Sequence, residues 1–312
     1  MQQLKVYLQT TPYKDYDLEI ASADASFRSY YRLRDKEQTY ILMDASLEKE
    51  SLLPFVNITE KLLKTDVKAP QIYYKDLENG YLVLKDFGNT NLLDILNENN
   101  FEALYKQAIG EILKMQNADA ANLPLYDKAF LHFEMDLMQE WYLQKKLSLT
   151  LSNSQEKMLA DTLDLISDVV LSQPQNVFVH RDFHSRNIMV KNNGDLGVID
   201  YQDAMNGAIT YDLVSLLKDC YIVFDRNKIE KLVLHFRDQL KLDVNDATFL
   251  KWFDFMGLQR HIKVLGIFSR LHLRDGKDGY LKDIPLTLSY VIDTAARYNE
   301  TKALSEFLES VQ

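Results

Sequence analysis

Asp182, Asn187 and Asp200 carry the side chains best suited to chemistry in this chain, and the segment from Val177 to Tyr201 spaces them for phosphoryl transfer. An apolar run, Val177-Phe178-Val179, enters the polar loop His180-Arg181-Asp182-Phe183-His184-Ser185-Arg186-Asn187. Two further apolar runs follow, joined through Asn193-Gly194, the strongest short-range signal for a hairpin. Read as a two-residue turn, that dipeptide pairs Asn192 with Asp195 and sets Asn187 opposite Asp200. Their Cβ atoms would then lie about 5 Å apart on one face. Two oxygen donors so placed suit Mg²⁺, which takes few protein ligands and completes its shell with water and phosphate. Asp182 stands at the start of the loop as a carboxylate for an incoming hydroxyl. Phosphoryl transfer needs mainly positioning and charge neutralisation from a protein. A zinc reading of His180 and His184, four residues apart, would need a helix. A segment between a strand-like run and a hairpin does not offer one, and no glutamate lies between the two histidines.

These residues need a scaffold, and the chain predicts one in two parts. Phe27 to Leu33 alternates with period two, flanked by strand-like runs at Asp17 to Ser22 and Tyr40 to Met43. A helix is expected over Leu47 to Leu63, then two short strands at Ile72 to Tyr74 and Tyr81 to Leu84. After Asn89 the helical period takes over, through Phe101, Leu104, Tyr105, Ala108, Ile109, Ile112 and Leu113, and continues over Leu131 to Leu147 and Gln155 to Val170. Helices resume from Asp212. The expected fold is α+β and bilobal, of protein-kinase type. A small N-terminal antiparallel sheet lobe spans 1–88, and a larger, mainly helical C-terminal lobe with the catalytic hairpin spans 89–312.

Composition narrows the class. The net charge of −10 argues against a nucleic-acid partner, which needs a basic face, while leaving room for a small anion in a local cleft. No apolar run is long enough to span a membrane, the N-terminus lacks a signal-peptide core, and no protein partner is evident. The lone Cys220 excludes an intramolecular disulfide framework and reads as a buried apolar filler; a cytoplasmic home follows. Only 10 glycines among 312 residues predict that no glycine-rich phosphate loop exists.

His180-Arg181-Asp182 through Asn187, followed by Val198-Ile199-Asp200, resembles the catalytic and metal motifs of the aminoglycoside phosphotransferase family, relatives of protein kinases. Ala21 to Arg28, Gly197 to Ala204 with Asp-Tyr-Gln-Asp-Ala, Tyr211 to Leu216 and Gly257 to Tyr280 resemble one branch, the N-acetylmuramate/N-acetylglucosamine anomeric kinases of bacterial cell-wall recycling. The resemblance implies ATP and Mg²⁺ as cofactors, a small amino-sugar as substrate, and transfer to the C1 hydroxyl to give the α-1-phosphate. It implies Asp182 as base and Asn187 and Asp200 as metal ligands. Another small-molecule kinase, for an aminoglycoside or choline, is the alternative, and a nucleotide-binding pseudokinase a more distant one. His180 is expected to orient the loop. Asp212 matches the family's buried aspartate that holds the catalytic loop, and could equally cap the helix from Leu213.

The nucleotide side departs from the kinase pattern. Met43 stands where a phosphate-binding lysine belongs on the third strand. Arg28 and Arg32 are the candidates to replace that charge, unless they are solvated strand residues. Phosphates would otherwise meet backbone N–H groups and the Ser26 hydroxyl. Asp86-Phe87-Gly88 spells the kinase metal tripeptide but precedes Asp182 by almost 100 residues. The segment from Leu84 to Asp86 is therefore expected to form a hinge that meets adenine. Gln202 and Asp203 are candidates for sugar hydroxyls or the amide, or else plain turn residues. Along the helix expected over Lys251 to His272, Gln259, Lys263, Gly266 and Arg270 form one polar stripe. It either lines a cleft, where its cations suit a lactyl carboxylate, or faces water.

Overall fold

A computed structural model describes residues 2–22, 28–36 and 38–311. The chain divides into two compact units, one of residues 1–92 with 187–202, the other of 93–186 with 203–312. A single cut after Gly88 does not reproduce that division, because the hairpin belongs with the N-terminal residues.

In the first unit, α1 (Gln2–Leu8) precedes β1 (Asp17–Ser22), β2 (Ser29–Asp35) and β3 (Gln38–Asp44); α2 (Leu52–Lys64), β4 (Ile72–Asp76) and β5 (Tyr81–Lys85) follow. The five strands form an antiparallel sheet in the order β1-β2-β3-β5-β4. Leu4 and Leu8 of α1 join Leu18, Leu33, Leu42 and Val83 in one buried cluster, edged by tyrosines. Tyr7 anchors α1 by donating to Asp76 at 2.6 Å. Met43, the residue at the missing-lysine position, is 1% exposed and pairs with Tyr30 and Leu82, so β3 offers an apolar side chain there.

In chain order the remaining elements are α3 (Leu92–Ile95), α4 (Phe101–Gln116), α5 (Lys128–Leu137), a π-helix (Met138–Lys146), α6 (Asn153–Ser172), β6 (Val177–Val179), β7 (Ile188–Val190), β8 (Leu196–Val198), β9 (Met205–Gly207), α7 (Tyr211–Leu217), α8 (Arg226–Leu240), α9 (Asp246–Leu273), α10 (Ile284–Ala295) and α11 (Lys302–Ser310). β7 and β8 form the hairpin of the first unit, and β6 pairs with β9 in the second. The expected helix over Leu131 to Leu147 is thus an α-helix that widens into a π-helix at Met138. Cys220 is buried, and burial pushes its thiol up to about 11.

α9 is apolar on most sides and correspondingly buried over most of its 28 residues. Gly266 permits its closest approach: a Cβ there would sit 2.3 Å from the Leu137 carbonyl carbon, where α5 meets the π-helix. Backbone cannot retreat as a flexible side chain can. Gly266→Ala should therefore lower stability by roughly 1–3 kcal/mol, the usual cost of overpacking, despite its gain in helix propensity. Gly110→Ala in α4, with open space around it, should instead raise stability by up to about 1 kcal/mol. Urea unfolding of the two variants separates the effects, and equal shifts would refute the close-packing account.

Candidate active site

Candidate site residues fall in both units, a separate set within each. In the first unit, β7 and β8 pair Ile188 with Val198, Met189 with Gly197 and Val190 with Leu196. The register is one residue away from the expected one. Lys191 N–H donates to Asp195 O at 2.9 Å, and Gly194 N–H donates to Lys191 O at 2.8 Å. The loop is therefore three residues, Asn192-Asn193-Gly194, closed by Gly194 in the left-handed region at φ 82°. Such a loop is a turn plus a glycine bulge, the common alternative to a two-residue turn. Asn187 consequently faces Ile199, whose N–H it accepts at 3.1 Å.

Asn187 and Asp200 still meet, for a different reason. Asp200 has φ 68°, which breaks the strand's alternation and turns its carboxylate back. Asn187 Nδ2 donates to Asp200 Oδ2 at 3.1 Å, and Gln202 Nε2 donates to Asp200 Oδ1 at 2.9 Å. An exposed carboxylate beside a side-chain amide is a hard-oxygen pair that fits Mg²⁺, provided the Asn187 amide turns its oxygen to the ion. The hairpin is fixed to its own unit by Val190 N–H to Thr90 O and Val198 N–H to Lys68 O, at 2.8 and 2.9 Å. Gly197 lets the Phe87 ring lie against β8, since a Cβ would come within 2.6 Å of it. Tyr201 stacks on Phe55 of α2 at 5.2 Å and shares a 2.8 Å hydrogen bond with Thr59.

On the nucleotide side, Arg32 is 8% exposed and forks onto Asp86, Nε to Oδ2 at 2.6 Å and Nη2 to Oδ1 at 3.1 Å. It also donates to Gly88 O at 3.2 Å, and Asp86 accepts from Gly88 N–H at 2.8 Å. Burial pushes the Asp86 carboxyl up, but Arg32 and the Gly88 N–H outweigh it and hold it below the usual range. Arg32 and Asp86 thus bind each other, and neither is a solvated strand residue. Arg28 is also buried, with Nε 3.7 Å from Glu48. Leu84 is buried in β5, paired with Ile41 and Ile72. Ser26 lies outside the described residues.

In the second unit, Asp182 sits in a loop without helical turns, so His180 and His184 do not share a helix face. Asp212 accepts His180 N–H at 2.8 Å and Arg181 N–H at 3.1 Å. Burial pushes its carboxyl up to about 6. The N-cap position of α7 belongs to Thr210, so the capping alternative for Asp212 fails. His180 Nδ1 accepts Asp182 N–H at 3.3 Å. Beyond the loop's midpoint Asp219 takes over, accepting Ser185 N–H at 2.9 Å and the Ser185 hydroxyl. Burial pushes the Asp182 carboxyl up, yet Lys263 and Arg260 outweigh it and hold it below the usual carboxylate range.

The α9 stripe is not a solvated edge: Gln259 is 0% exposed and Lys263 4%. Lys263 Nζ donates to the Tyr211 hydroxyl at 2.8 Å and lies 3.4 Å from Glu134. Gln259 Nε2 donates to Glu134 at 3.2 Å, and the Tyr126 hydroxyl donates to the same carboxylate. Arg181 Nη2 donates to Glu134 Oε1 at 2.7 Å. Arg270 is half-buried in the last turn of α9, away from this group in sequence. Asp203 is exposed and meets the cluster only through its carbonyl, which accepts from Arg181 Nη1 at 3.4 Å. Sequence reasoning missed Glu134, Asp219 and Arg260. Each is a charge within an apolar helical pattern; Glu134 shares the buried face of α5 with Leu131 and Met135.

Comparison with known proteins supplies the family. The model of the phosphotransferase enzyme family matches residues 17–240. A protein of Neisseria meningitidis serogroup B named N-acetylmuramate/N-acetylglucosamine kinase is 39% identical, over 98% of this chain and 94% of its own. One of the same name from Pseudomonas putida is 38% identical over 95% and 88%. Among solved structures, the ADP-bound aminoglycoside phosphotransferase APH(2'')-Ib superposes with a TM-score of 0.65 at 16% identity, covering 94% of this chain and 98% of that one. The choline kinase LicA of Streptococcus pneumoniae gives 0.63 at 13% identity, with the same coverages. These two share the fold, α+β and kinase-like. By its family match and its near full-length relatives, the chain belongs to the phosphotransferase enzyme family.

Proposed function

We propose that the protein transfers the γ-phosphoryl group of ATP to the C1 hydroxyl of N-acetylmuramate and N-acetylglucosamine, giving the α-1-phosphate, in cytoplasmic peptidoglycan recycling. The observation that carries this reading is the 39% identity over 98% of the chain to a kinase named for both sugars. Asp182 orients the hydroxyl and takes its proton; an anomeric hydroxyl, more acidic than an ordinary alcohol, suits one positioned carboxylate. Asn187 and Asp200 would hold Mg²⁺, whose charge offsets that of the nucleotide phosphates. Leu84 to Asp86 would meet adenine through the backbone. Because Arg32 is committed to Asp86, we assign the phosphate-facing charge to Arg28, two residues after Ser26 in sequence. Gln202, Asp203, Gln259, Lys263 and Arg270 are assigned to the sugar. The buried cations around Asp182 favour an uncharged or anionic acceptor over a polycationic aminoglycoside.

The test is ATP turnover with Mg²⁺ over a panel of N-acetylmuramate, N-acetylglucosamine, their 1-O-methyl glycosides, choline and kanamycin. The free sugars should react, their methyl glycosides should not, and the product phosphorus should couple to the C1 proton by NMR. Turnover with choline or kanamycin alone would overturn the substrate assignment.

A further inference from the structure

Arg181, the residue before Asp182, has φ 76°, a left-handed backbone that a residue with a Cβ resists. Such conformations persist where surrounding bonds over-determine them. Here the bonds come from both ends of the residue. Arg181 N–H donates to Asp212, and its carbonyl accepts from the Ser215 hydroxyl at 3.3 Å. That hydroxyl in turn accepts from Arg260 Nε at 2.6 Å. Those contacts fix the main chain. The guanidinium is fixed separately, by Glu134 at 2.7 Å and, more weakly, by Asp203 O at 3.4 Å.

We propose that Glu134 is a positioning residue for the reaction: its carboxylate ties Arg181 to the polar face of α9 and so sets the direction in which Asp182 leaves the loop. This rests on the reading of Asp182 as the group that meets the acceptor hydroxyl. Glu134 is 4% exposed, and its partners come from three other places in the second unit: Tyr126 before α5, Arg181 in the loop, and Gln259 with Lys263 on α9. Among the described residues no other carboxylate pairs with the Arg181 side chain. Lys263 is shared as well, lying against Glu134 while also attracting Asp182. Removing the Glu134 charge therefore releases Arg181 and changes the balance around Lys263 in one step.

The experiment is a double-mutant cycle of Glu134→Gln and Arg181→Gln in the full chain, with kcat and both KM values measured. Each single variant should lower kcat about 10²-fold, the loss expected from a misplacement near 1 Å. The KM for ATP should stay within about two-fold of the parent, and any rise in the sugar KM, passed on through Gln259 and Lys263, should be smaller than the loss of kcat. The double variant should be no slower than the slower single, because one tie is cut either way. Glu134→Asp, which keeps the charge, should recover part of the rate. Should Glu134→Gln fail to fold, the double variant, which removes the charges as a pair, and Glu134→Asp replace it. Their kcat loss with an unchanged KM for ATP supports the proposal, and wild-type kcat in both overturns it. Additive losses overturn it, as does an unchanged kcat with a raised sugar KM, which would make Glu134 a substrate ligand. An Asp182→Asn variant is measured alongside. If it turns over normally, the catalytic reading itself fails; if it is inactive while Glu134→Gln is normal, only the positioning role fails.

Discussion

Replacing Asp182 with asparagine should lower turnover on N-acetylmuramate by ~10²–10⁴-fold, the range of a single positioned acid–base group. Asparagine keeps the size and reach of aspartate, removes the charge and turns one acceptor oxygen into an NH2 donor. The loop should hold its shape, because its main chain is tied by Asp212 and Asp219. A normal thermal melt with lost activity is therefore the expected pair of results. Asp182 is ionised at neutral pH, since Lys263 and Arg260 hold its carboxyl down against the effect of burial. The wild-type rate should accordingly stay level from neutral pH to the ordinary carboxylate range, near about 4, before the base is protonated. ADP release in a coupled assay measures both effects. A loss of less than about ten-fold in the variant would remove Asp182 from the role of base.

The local signals in the sequence located the loop, the hairpin and the strands of the first unit. What they misjudged depended on geometry that a linear pattern does not encode. Asn193-Gly194 is compatible with two-residue and three-residue loops, and the chain adopts the longer one. That shift alone would have separated Asn187 from Asp200, but the left-handed backbone at Asp200 brings them back together. The expected contact is present, through a cause the sequence did not display. The hairpin's membership of the first unit is likewise invisible locally, because it depends on Lys68, Phe87 and Thr90, about 100 residues away. Glu134 was legible in principle: a carboxylate on the apolar face of a helix needs a cation, and here there are two, the half-buried Arg181 and the buried Lys263. Naming those cations from sequence would have required the fold.

The same principle predicts the largest stability effect outside the candidate site. Asp254 of α9, 1% exposed, accepts from Lys218 Nζ at 2.9 Å, from Arg226 through Nη1 at 2.6 Å and Nη2 at 2.9 Å, and from the Tyr298 hydroxyl at 2.9 Å. Lys218 is itself 4% exposed, so it cannot turn to water if this partner is lost. Burial pushes the Asp254 carboxyl up, but Lys218 and Arg226 more than offset it and hold it at about 2. Asp254→Asn keeps the shape and strands the cations, and should cost about 3–5 kcal/mol, the usual penalty for breaking a buried ion pair. Urea unfolding at neutral pH measures that loss. Because the folded carboxyl titrates below the unfolded value near about 4, the wild-type advantage should be complete above that pH and fade as pH falls towards the folded value. Asp254→Asn combined with Lys218→Met removes charge from both sides and should recover much of the stability. A single variant within about 1 kcal/mol of the parent would mean that water, not Asp254, compensates these cations.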